Sequence, residues 1–395
     1  MQIFSRYEHY GGEEGSVYRI GDAMQDQYDV EYFLASTAEF INSPLHERLT
    51  IPLRIFHNPD VARRLRRIQS IGKFDVWQIH NVLPAMSPVV YTTAFNLRIP
   101  IVHFLHNYRF GCTNGFFLQH GLPCQRCMHG NFWPAFAGKS WRNSHILSGA
   151  MGAVLYHIRH MGLFHKVTQW IAISNAQKAV HVEMGVPAEK ITVIHHFYEK
   201  QDPPPAPAPG GHAMFIGRLS EEKGVAHLLE AWRLLNRPDK RLVIVGEGPE
   251  SENLRAQAAR LGLSNVTFTG FLKPERQREI WAGAAFTLVP SIWMEPFGMV
   301  ILESWANGRA VVAHKIGALP ELITHGENGL LVEPFQPQLL ADAMNRAFNS
   351  PEECNAMAEA GRQLVQTQYT KSRWLEQIAT IYWKMGFGQP HPMPR

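Results

Sequence analysis

The chain has 395 residues, 45% apolar and 18% charged, a balance that builds two domains of ordinary size and excludes a disordered or fibrous protein. A net charge of +4 is too small to point to nucleic acid, and four cysteines cannot staple a chain this long, so a reducing, cytoplasmic setting is expected. No basic segment followed by an apolar one opens the sequence, and no run approaches eighteen apolar residues, so neither a secretory signal nor a spanning helix is expected.

Taken in order, the first half is irregular but carries three apolar segments that read as buried parallel strands: Phe74-Asp75-Val76-Trp77-Gln78-Ile79, Ile101-Val102-His103-Phe104-Leu105 and Ile171-Ala172-Ile173. Its charge is unevenly placed. From Val76 to Val182 there is no Asp or Glu, but there are eight Lys or Arg and ten His, and Arg63, Arg64, Arg66 and Arg67 come just before. The first 200 residues carry +5 and the remainder −1, so an anionic partner is expected on the first half. Residues 145–165 place Ile146, Leu147, Met151, Val154, Leu155, Ile158, Met161, Leu163 and Phe164 among His157, Arg159, His160 and Lys166. That pattern suits either a core helix with one basic face or a basic amphipathic helix at a membrane surface.

A proline-rich run, 202–211, divides the chain. Beyond it, strands are expected at Met214–Ile216, Leu242–Val245, Val266–Phe268, Phe286–Val289, Ala310–Val312 and Leu330–Val332, with helices between them such as Val225–Leu235 and Ser251–Leu261. Short apolar strands alternating with helices give a parallel sheet covered on both faces. The expected organisation is an α/β protein of two doubly wound Rossmann-like domains, 1–201 and 212–368, facing a central cleft, with a last helix in 369–395 crossing back to the first domain.

Two segments of the second half carry chemistry. Gly217-Arg218-Leu219-Ser220-Glu221-Glu222-Lys223-Gly224 follows a strand and sets a planar guanidinium and a point charge five residues apart between glycines, a combination that suits a diphosphate. Glu295-Pro296-Phe297-Gly298-Met299-Val300-Ile301-Leu302-Glu303 leads into a helix. Gly298 and Met299 would present bare N–H groups to an anion, and the carboxylates of Glu295 and Glu303 suit sugar or ribose hydroxyls beside it.

In order and spacing these segments, with Gly317-Ala318-Leu319-Pro320-Glu321, resemble the retaining glycosyltransferases of family 4, whose architecture is the two-Rossmann GT-B fold, and the resemblance covers almost the whole chain. It implies that Arg218 and Lys223 hold the donor diphosphate, that Gly298, Met299 and Val300 add backbone contacts, that Glu295 accepts from the donor sugar and that Glu303 accepts from the ribose. Gly11-Gly12-Glu13-Glu14 is similar to the family's first glycine-rich loop, near the diphosphate. His106-Asn107-Tyr108-Arg109 is similar to its active-site histidine segment, with His106 beside the sugar ring. Gly246-Glu247-Gly248-Pro249 and Gly270-Phe271-Leu272 stand where the family cradles the base.

No Asp-x-Asp pair occurs, so a metal-bridged diphosphate is not expected. The acid-free stretch removes most first-domain candidates for the carboxylate nucleophile of a double displacement, and the leaving diphosphate can itself take the acceptor proton. Cys112, Cys124 and Cys127 are a weak candidate zinc site with His120 or His129. A subset of the family has one more cysteine before an aromatic-Arg-x-Ser run, and here that place is Ser140-Trp141-Arg142-Asn143-Ser144, so reduced thiols are favoured. The resemblance implies transfer from a UDP- or GDP-sugar to a glycan or lipid-linked glycan in surface polysaccharide assembly, without a divalent metal, in the cytoplasm or at the inner face of an anionic membrane. A GT-B sugar-nucleotide epimerase and a non-catalytic partner subunit are the alternatives.

Overall fold

The computed structural model describes residues 1–6, 11–41, 50–199 and 211–388. The chain folds as two units, the first Met1–Ile194 and the second beginning at His195. The division precedes the proline-rich run, whose residues 202–210 lie outside the described part. Residues just after Ile194 are tied to the end of the chain: Tyr198 N–H donates to Tyr369 O at 3.0 Å, and the Phe197 ring packs on Trp374 of the helix Lys371–Lys384 with centroids 5.4 Å apart.

The first unit contains β1 (Gln2–Arg6), β2 (Tyr32–Ser36), β3 (Trp77–Ile79), β4 (Ile101–Phe104), a small hairpin of β5 (Leu118–Gln119) and β6 (Leu122–Pro123), then β7 (Gln169–Ala172) and β8 (Ile191–Val193). All but the hairpin form one parallel sheet in the order β2-β1-β3-β4-β7-β8. The second unit contains β9 (His212–Ile216), β10 (Leu242–Val245), β11 (Val266–Gly270), β12 (Ala284–Val289), β13 (Ala310–His314) and β14 (Leu330–Val332), parallel in the order β11-β10-β9-β12-β13-β14. Strand side chains alternate across a sheet. On β9, Ala213 and Phe215 enter the core formed with Leu228, Trp232, Ile244 and Met344, while Met214 packs on the other face with Val245 and Trp281. Both faces are therefore covered, which is why these strands read as continuous apolar runs.

The order of strands reverses between β1 and β3 in the first unit and between β9 and β12 in the second. Ligands of doubly wound sheets bind beyond the carboxyl ends of strands at such a reversal. His80 directly follows β3, the Gly217–Gly224 segment follows β9, and the Ser291–Met299 loop follows β12.

Two surface elements bear on the anionic-partner expectation. The helix Pro59–Gly72 is capped by Asn58, whose side chain accepts from Val61 N–H, and it buries Val61, Ala62 and Leu65, so Arg63, Arg64, Arg66 and Arg67 project outward. Of the two readings of the 145–165 segment, the structure supports a core helix for its apolar face. Helix His145–His160 ends before Gly162, at φ +75°, and a short helix Leu163–Lys166 follows. Met151, Val154, Leu155, Ile158, Leu163 and Phe164 are all core residues, so this apolar face is spent inside the domain and is not available to lipid. No helix among the described residues is long and apolar enough to cross a membrane.

Glycines nest the turns of the second unit. Gly246 has φ +131°, and a Cβ there would lie 1.9 Å from Gly217 O; one on Gly248 would lie 2.3 Å from Leu219 O. The turn after β10 thus sits on the turn that carries Arg218, joined by Leu219 N–H to Glu247 O at 3.0 Å. Gly246→Ala should therefore destabilise the second unit by about 1–3 kcal/mol through overpacking, read as a lowered melting temperature. An unchanged melting temperature would show that the two turns separate freely.

Candidate active site

Lys223 and Glu295 stand 72 positions apart, and the reversal between β9 and β12 brings them together. Lys223 closes a 3-10 turn, Glu221–Lys223, that ends at Gly224 with φ +70°; a Cβ at Gly224 would lie 1.9 Å from Pro290 O. Only glycine allows the two loops this approach, which Ile292 N–H to Glu222 O at 3.0 Å then fixes. From the other side, Gly317 at φ +58° would place a Cβ 2.4 Å from Glu295 N, and Ala318 N–H donates to Glu295 O at 2.8 Å. The Gly317–Glu321 turn thereby clamps the backbone of Glu295.

The Glu295 carboxylate is buried and fully engaged. Lys223 Nζ donates to Oε1 at 3.1 Å and to Oε2 at 2.9 Å, and Oε2 also accepts from Ser291 Oγ and Trp293 Nε1, each at 2.9 Å. The Lys223 ammonium lies 5.3 Å from the Trp293 ring centroid, within cation–π range. His314 holds the same loop by donating from Nδ1 to Ser291 O at 3.0 Å, and burial pushes its imidazole down to about 4, so it is neutral at pH 7. Ser291 and Trp293 were not singled out from sequence; the signal was a pair of side-chain donors four and two residues ahead of the glutamate.

The remaining expected residues of the second unit gather at the same end of its sheet. Arg218 is exposed, and its side chain makes no hydrogen bond or ion pair among the described residues. Gly298 has φ +104° and caps the helix Met299–Ala306, with Met299 and Val300 half-buried in its first turn and Glu303 one turn in. Gly246 N–H donates to Gly270 O at 2.9 Å, which sets Gly248 and Gly217 beside the Gly270-Phe271-Leu272 segment. Phe271 leaves a large apolar ring 67% exposed there, and Leu272 is half-buried.

His106, Gly11 and Gly12 belong to the first unit. Gly11 caps the helix Gly12–Met24, and a Cβ at either glycine would touch nothing within 4 Å, so the fold itself does not demand glycine at these positions. The helix is tied to the histidine segment by Asn107 Nδ2, which donates to Glu13 Oε2 at 3.1 Å, while Asn107 Oδ1 accepts from Arg109 N–H at 2.9 Å. His106 lines a small recess with Glu13, His80, Tyr91, His103 and Arg109. Burial pushes both His103 and His106 down to about 3. His103 donates from Nδ1 to Phe104 O at 3.1 Å and accepts at Nε2 from Tyr91 O–H at 2.9 Å. Sequence reasoning missed His80 and Gln2, which join this cluster from neighbouring strands.

The cysteines turn to amides. Cys112 Sγ donates to Asn114 Oδ1 at 2.9 Å and Cys124 Sγ to Gln119 Oε1 at 3.7 Å, and burial pushes the Cys127 thiol up to about 11. No group of three or more His, Cys, Asp or Glu placed to hold a metal forms among the described residues.

Two family models together match the chain from residue 10 to residue 364: Glycosyltransferase Family 4 over 10–201 and Glycosyl transferases group 1 over 199–364. The chain belongs to glycosyltransferase family 4. Similar proteins include the alpha-D-kanosaminyltransferase of Streptomyces kanamyceticus, 35% identical over 44% of this chain and 45% of that one. The D-rhamnosyltransferase WbpZ of Pseudomonas aeruginosa is 34% identical over 44% of this chain and 43% of its own. The match thus spans less than half the length of these curated relatives. Among solved structures, Anabaena HepE, in complex with UDP and glucose, aligns over 97% of this chain and 99% of its own, with TM-score 0.68 and 21% identity. The sucrose-phosphate synthase of Thermosynechococcus elongatus aligns over 98% of each chain with TM-score 0.72 and 17% identity. At these identities the likeness concerns the fold, and this family 4 member has the GT-B architecture of two parallel-sheet α/β domains.

Four buried imidazoles and the half-buried His106 lie below the ordinary 6.5, His103 and His106 at about 3 and His181, His212 and His314 at about 4, because desolvation disfavours the cation. Below pH 6.5 the unfolded chain therefore binds protons that the folded chain does not, and stability falls as pH falls. Melting temperature should drop measurably between pH 7 and 5.5, before the carboxylates titrate, with no contribution from these groups above pH 7.5. A flat profile between pH 7 and 5.5 would contradict the buried neutral histidines.

Proposed function

We propose that this chain transfers a sugar from a UDP- or GDP-sugar to a glycan or lipid-linked glycan, with retention of anomeric configuration, in surface polysaccharide assembly. The observation that carries the reading is the convergence of Arg218, the Lys223–Glu295 pair and the helix start at Gly298 on one end of the second sheet, at the reversal of strand order. The relatives named as sugar transferases, and the UDP and glucose bound by HepE, support it.

In this reading the donor diphosphate lies beside Arg218 and draws Lys223 away from Glu295. The carboxylate keeps its hydrogen bonds from Ser291 and Trp293 and turns its released acceptor capacity to a donor-sugar hydroxyl, while Glu303 takes the ribose. Gly298, Met299, Val300, Gly11 and Gly12 offer backbone to the phosphates, Gly217, Gly248, Phe271 and Leu272 surround the base, and His106 lies beside the sugar. The bond from the anomeric carbon to the diphosphate oxygen breaks, the acceptor oxygen bonds to that carbon on the same face, and its proton passes to the leaving phosphate. Arg218 and Lys223 stabilise the charge that develops, so the diphosphate needs no divalent cation. Glu295, with Ser291 and Trp293 still donating to one oxygen, is a poor nucleophile, which fits a route without a glycosyl-enzyme.

We further propose that the first unit rests on an anionic membrane. Arg63 pairs with Asp60 and Arg64 covers the Phe33 ring at 5.1 Å, while Arg66 and Arg67 make no ion pair among the described residues. Apolar contact would come from residues exposed on helices that pack against His145–His160 and from that helix's own start: Leu53 (73% exposed), Trp133 (69%) and Ile146 (73%).

Two measurements follow. A hydrogen bond to a charged group is worth about 1.5–3 kcal/mol, so Arg218→Ala and Lys223→Ala should each lower kcat/KM on the order of ten- to a hundredfold, in the presence of EDTA. Near-normal activity in both variants, loss of activity on chelation, or alteration of the donor sugar without any acceptor would contradict the assignment. The protein should also float with anionic vesicles at low salt, at roughly 1 kcal/mol per basic residue at the surface. Changing Arg63, Arg64, Arg66 and Arg67 to Ser should abolish the salt-sensitive part, and changing Leu53, Trp133 and Ile146 to Ser the part that survives high salt. Failure of the unaltered protein to float would remove the membrane from the account.

A further inference from the structure

His80 has no exposed surface and follows β3 directly. Its ring packs on that of Phe104 with centroids 5.0 Å apart, lies edge to edge with that of His106 at 5.1 Å, and meets Phe4 at 6.4 Å in a T-shaped contact. Its Nε2 is 2.6 Å from Gln2 Oε1 and its Nδ1 is 2.8 Å from His106 Nε2. We propose that His80, oriented by Gln2, is a positioning residue that decides whether the Nδ1 of His106 meets the sugar bare or protonated. The inference rests on the transfer reading above, in which His106 lies beside that sugar.

The direction of each proton follows from the partners. Gln2 Nε2 faces Met24 Sδ at 3.9 Å, and Gln78 Nε2 donates to the same sulfur at 3.1 Å. A thioether only accepts, so the Gln2 amide is oriented with its oxygen toward His80. That oxygen also only accepts, so His80 Nε2 carries a hydrogen and donates it. A neutral His80 then has a lone pair on Nδ1, and the short contact requires His106 to donate from Nε2. His106 is thereby held as the Nε2–H tautomer, with Nδ1 as its acceptor nitrogen. Full burial of His80 disfavours an imidazolium, which would reverse the direction. Packing locks it as well, because a ring with no exposed surface, pressed by Phe104 and Phe4, cannot flip without opening the core.

The consequence is a matter of specificity. An acceptor nitrogen receives a sugar hydroxyl as a hydrogen-bond donor, and a deoxy sugar at that position would leave it unsatisfied. Sites built to bond a hydroxyl reject analogues that lack it far more strongly than apolar pockets reject a missing methylene. A core histidine that merely packed would have no such effect, and phenylalanine would replace it without changing His106.

The experiment is long-range proton–nitrogen NMR of the full chain labelled with ¹⁵N-histidine, with His106 signals assigned by their loss in His106→Gln. The expected result is a protonated Nε2 and a bare Nδ1 on His106. In Gln2→Glu the carboxylate should draw a proton onto His80, whose Nδ1–H then donates to His106 and moves the His106 hydrogen to Nδ1. In His80→Phe the tautomers should mix, and kcat should fall on the order of tenfold with KM little changed, the size of one lost hydrogen bond. An Nδ1–H His106 in the unaltered chain, or an unchanged tautomer in both variants, would overturn the proposal. The spectrum needs no reaction, so an inactive but correctly protonated protein would sink the transfer reading and leave the tautomer assignment standing.

Discussion

The second unit is organised around one ion pair. Lys223 and Glu295 come from loops that follow different strands, and their charges meet where the order of strands reverses. A half-buried ammonium and a buried carboxylate lose much of their hydration, and they persist because four hydrogen bonds replace it: two from Lys223, one from Ser291 and one from Trp293. The backbone is shaped to allow this, with Gly224 bringing the first loop against Pro290 and Gly317 bringing the clamp against Glu295. Arg218 stands in the same turn as Lys223 but is exposed. The result is a paired cation beside an unpaired one, an arrangement that leaves the Arg218 guanidinium for an incoming anion while keeping the carboxylate fixed.

The first unit uses different physics for a related end. Its recess sets three imidazoles beside Glu13 and Arg109, and burial keeps His103 and His106 neutral at physiological pH. Neutral rings in a dry setting have a defined donor side and acceptor side, which gives direction to a hydrogen-bond network without a formal charge. Stacking with Phe104 and edge contacts hold that direction in place. Such a surface suits sugar hydroxyls, which are neutral and must be read by direction.

Much of this was legible from sequence, for identifiable reasons. The strands of the second sheet are apolar on both faces, so they stand out as runs, and the helix expected over Val225–Leu235 is found with those bounds. By contrast β1, β2 and β8 went unread: they are five, five and three residues long, and Gln2, Ser5 and Thr192 interrupt their apolar character. Arg218, Lys223, Glu295 and Gly298 were recognisable because glycine and charge at fixed spacing are properties of the chain itself. Ser291, Trp293, His80 and Gln2 were not, because their roles exist only once separate strands are side by side. The 145–165 segment shows the limit of periodicity, which reveals that a helix has an apolar face but not what covers it; here the cover is the domain's own core.

The central claim is that the donor diphosphate takes Lys223 from Glu295 while Ser291 and Trp293 keep the carboxylate in place. A crystal structure of the protein with UDP or GDP, whichever binds, measures this directly. The account predicts Lys223 Nζ within hydrogen-bonding distance of a phosphate oxygen, Arg218 on the same diphosphate, and Glu295 Oε2 still near 2.9 Å from Ser291 Oγ and Trp293 Nε1. A bound nucleotide whose diphosphate lies away from Arg218, with both Lys223–Glu295 bonds intact, would contradict it.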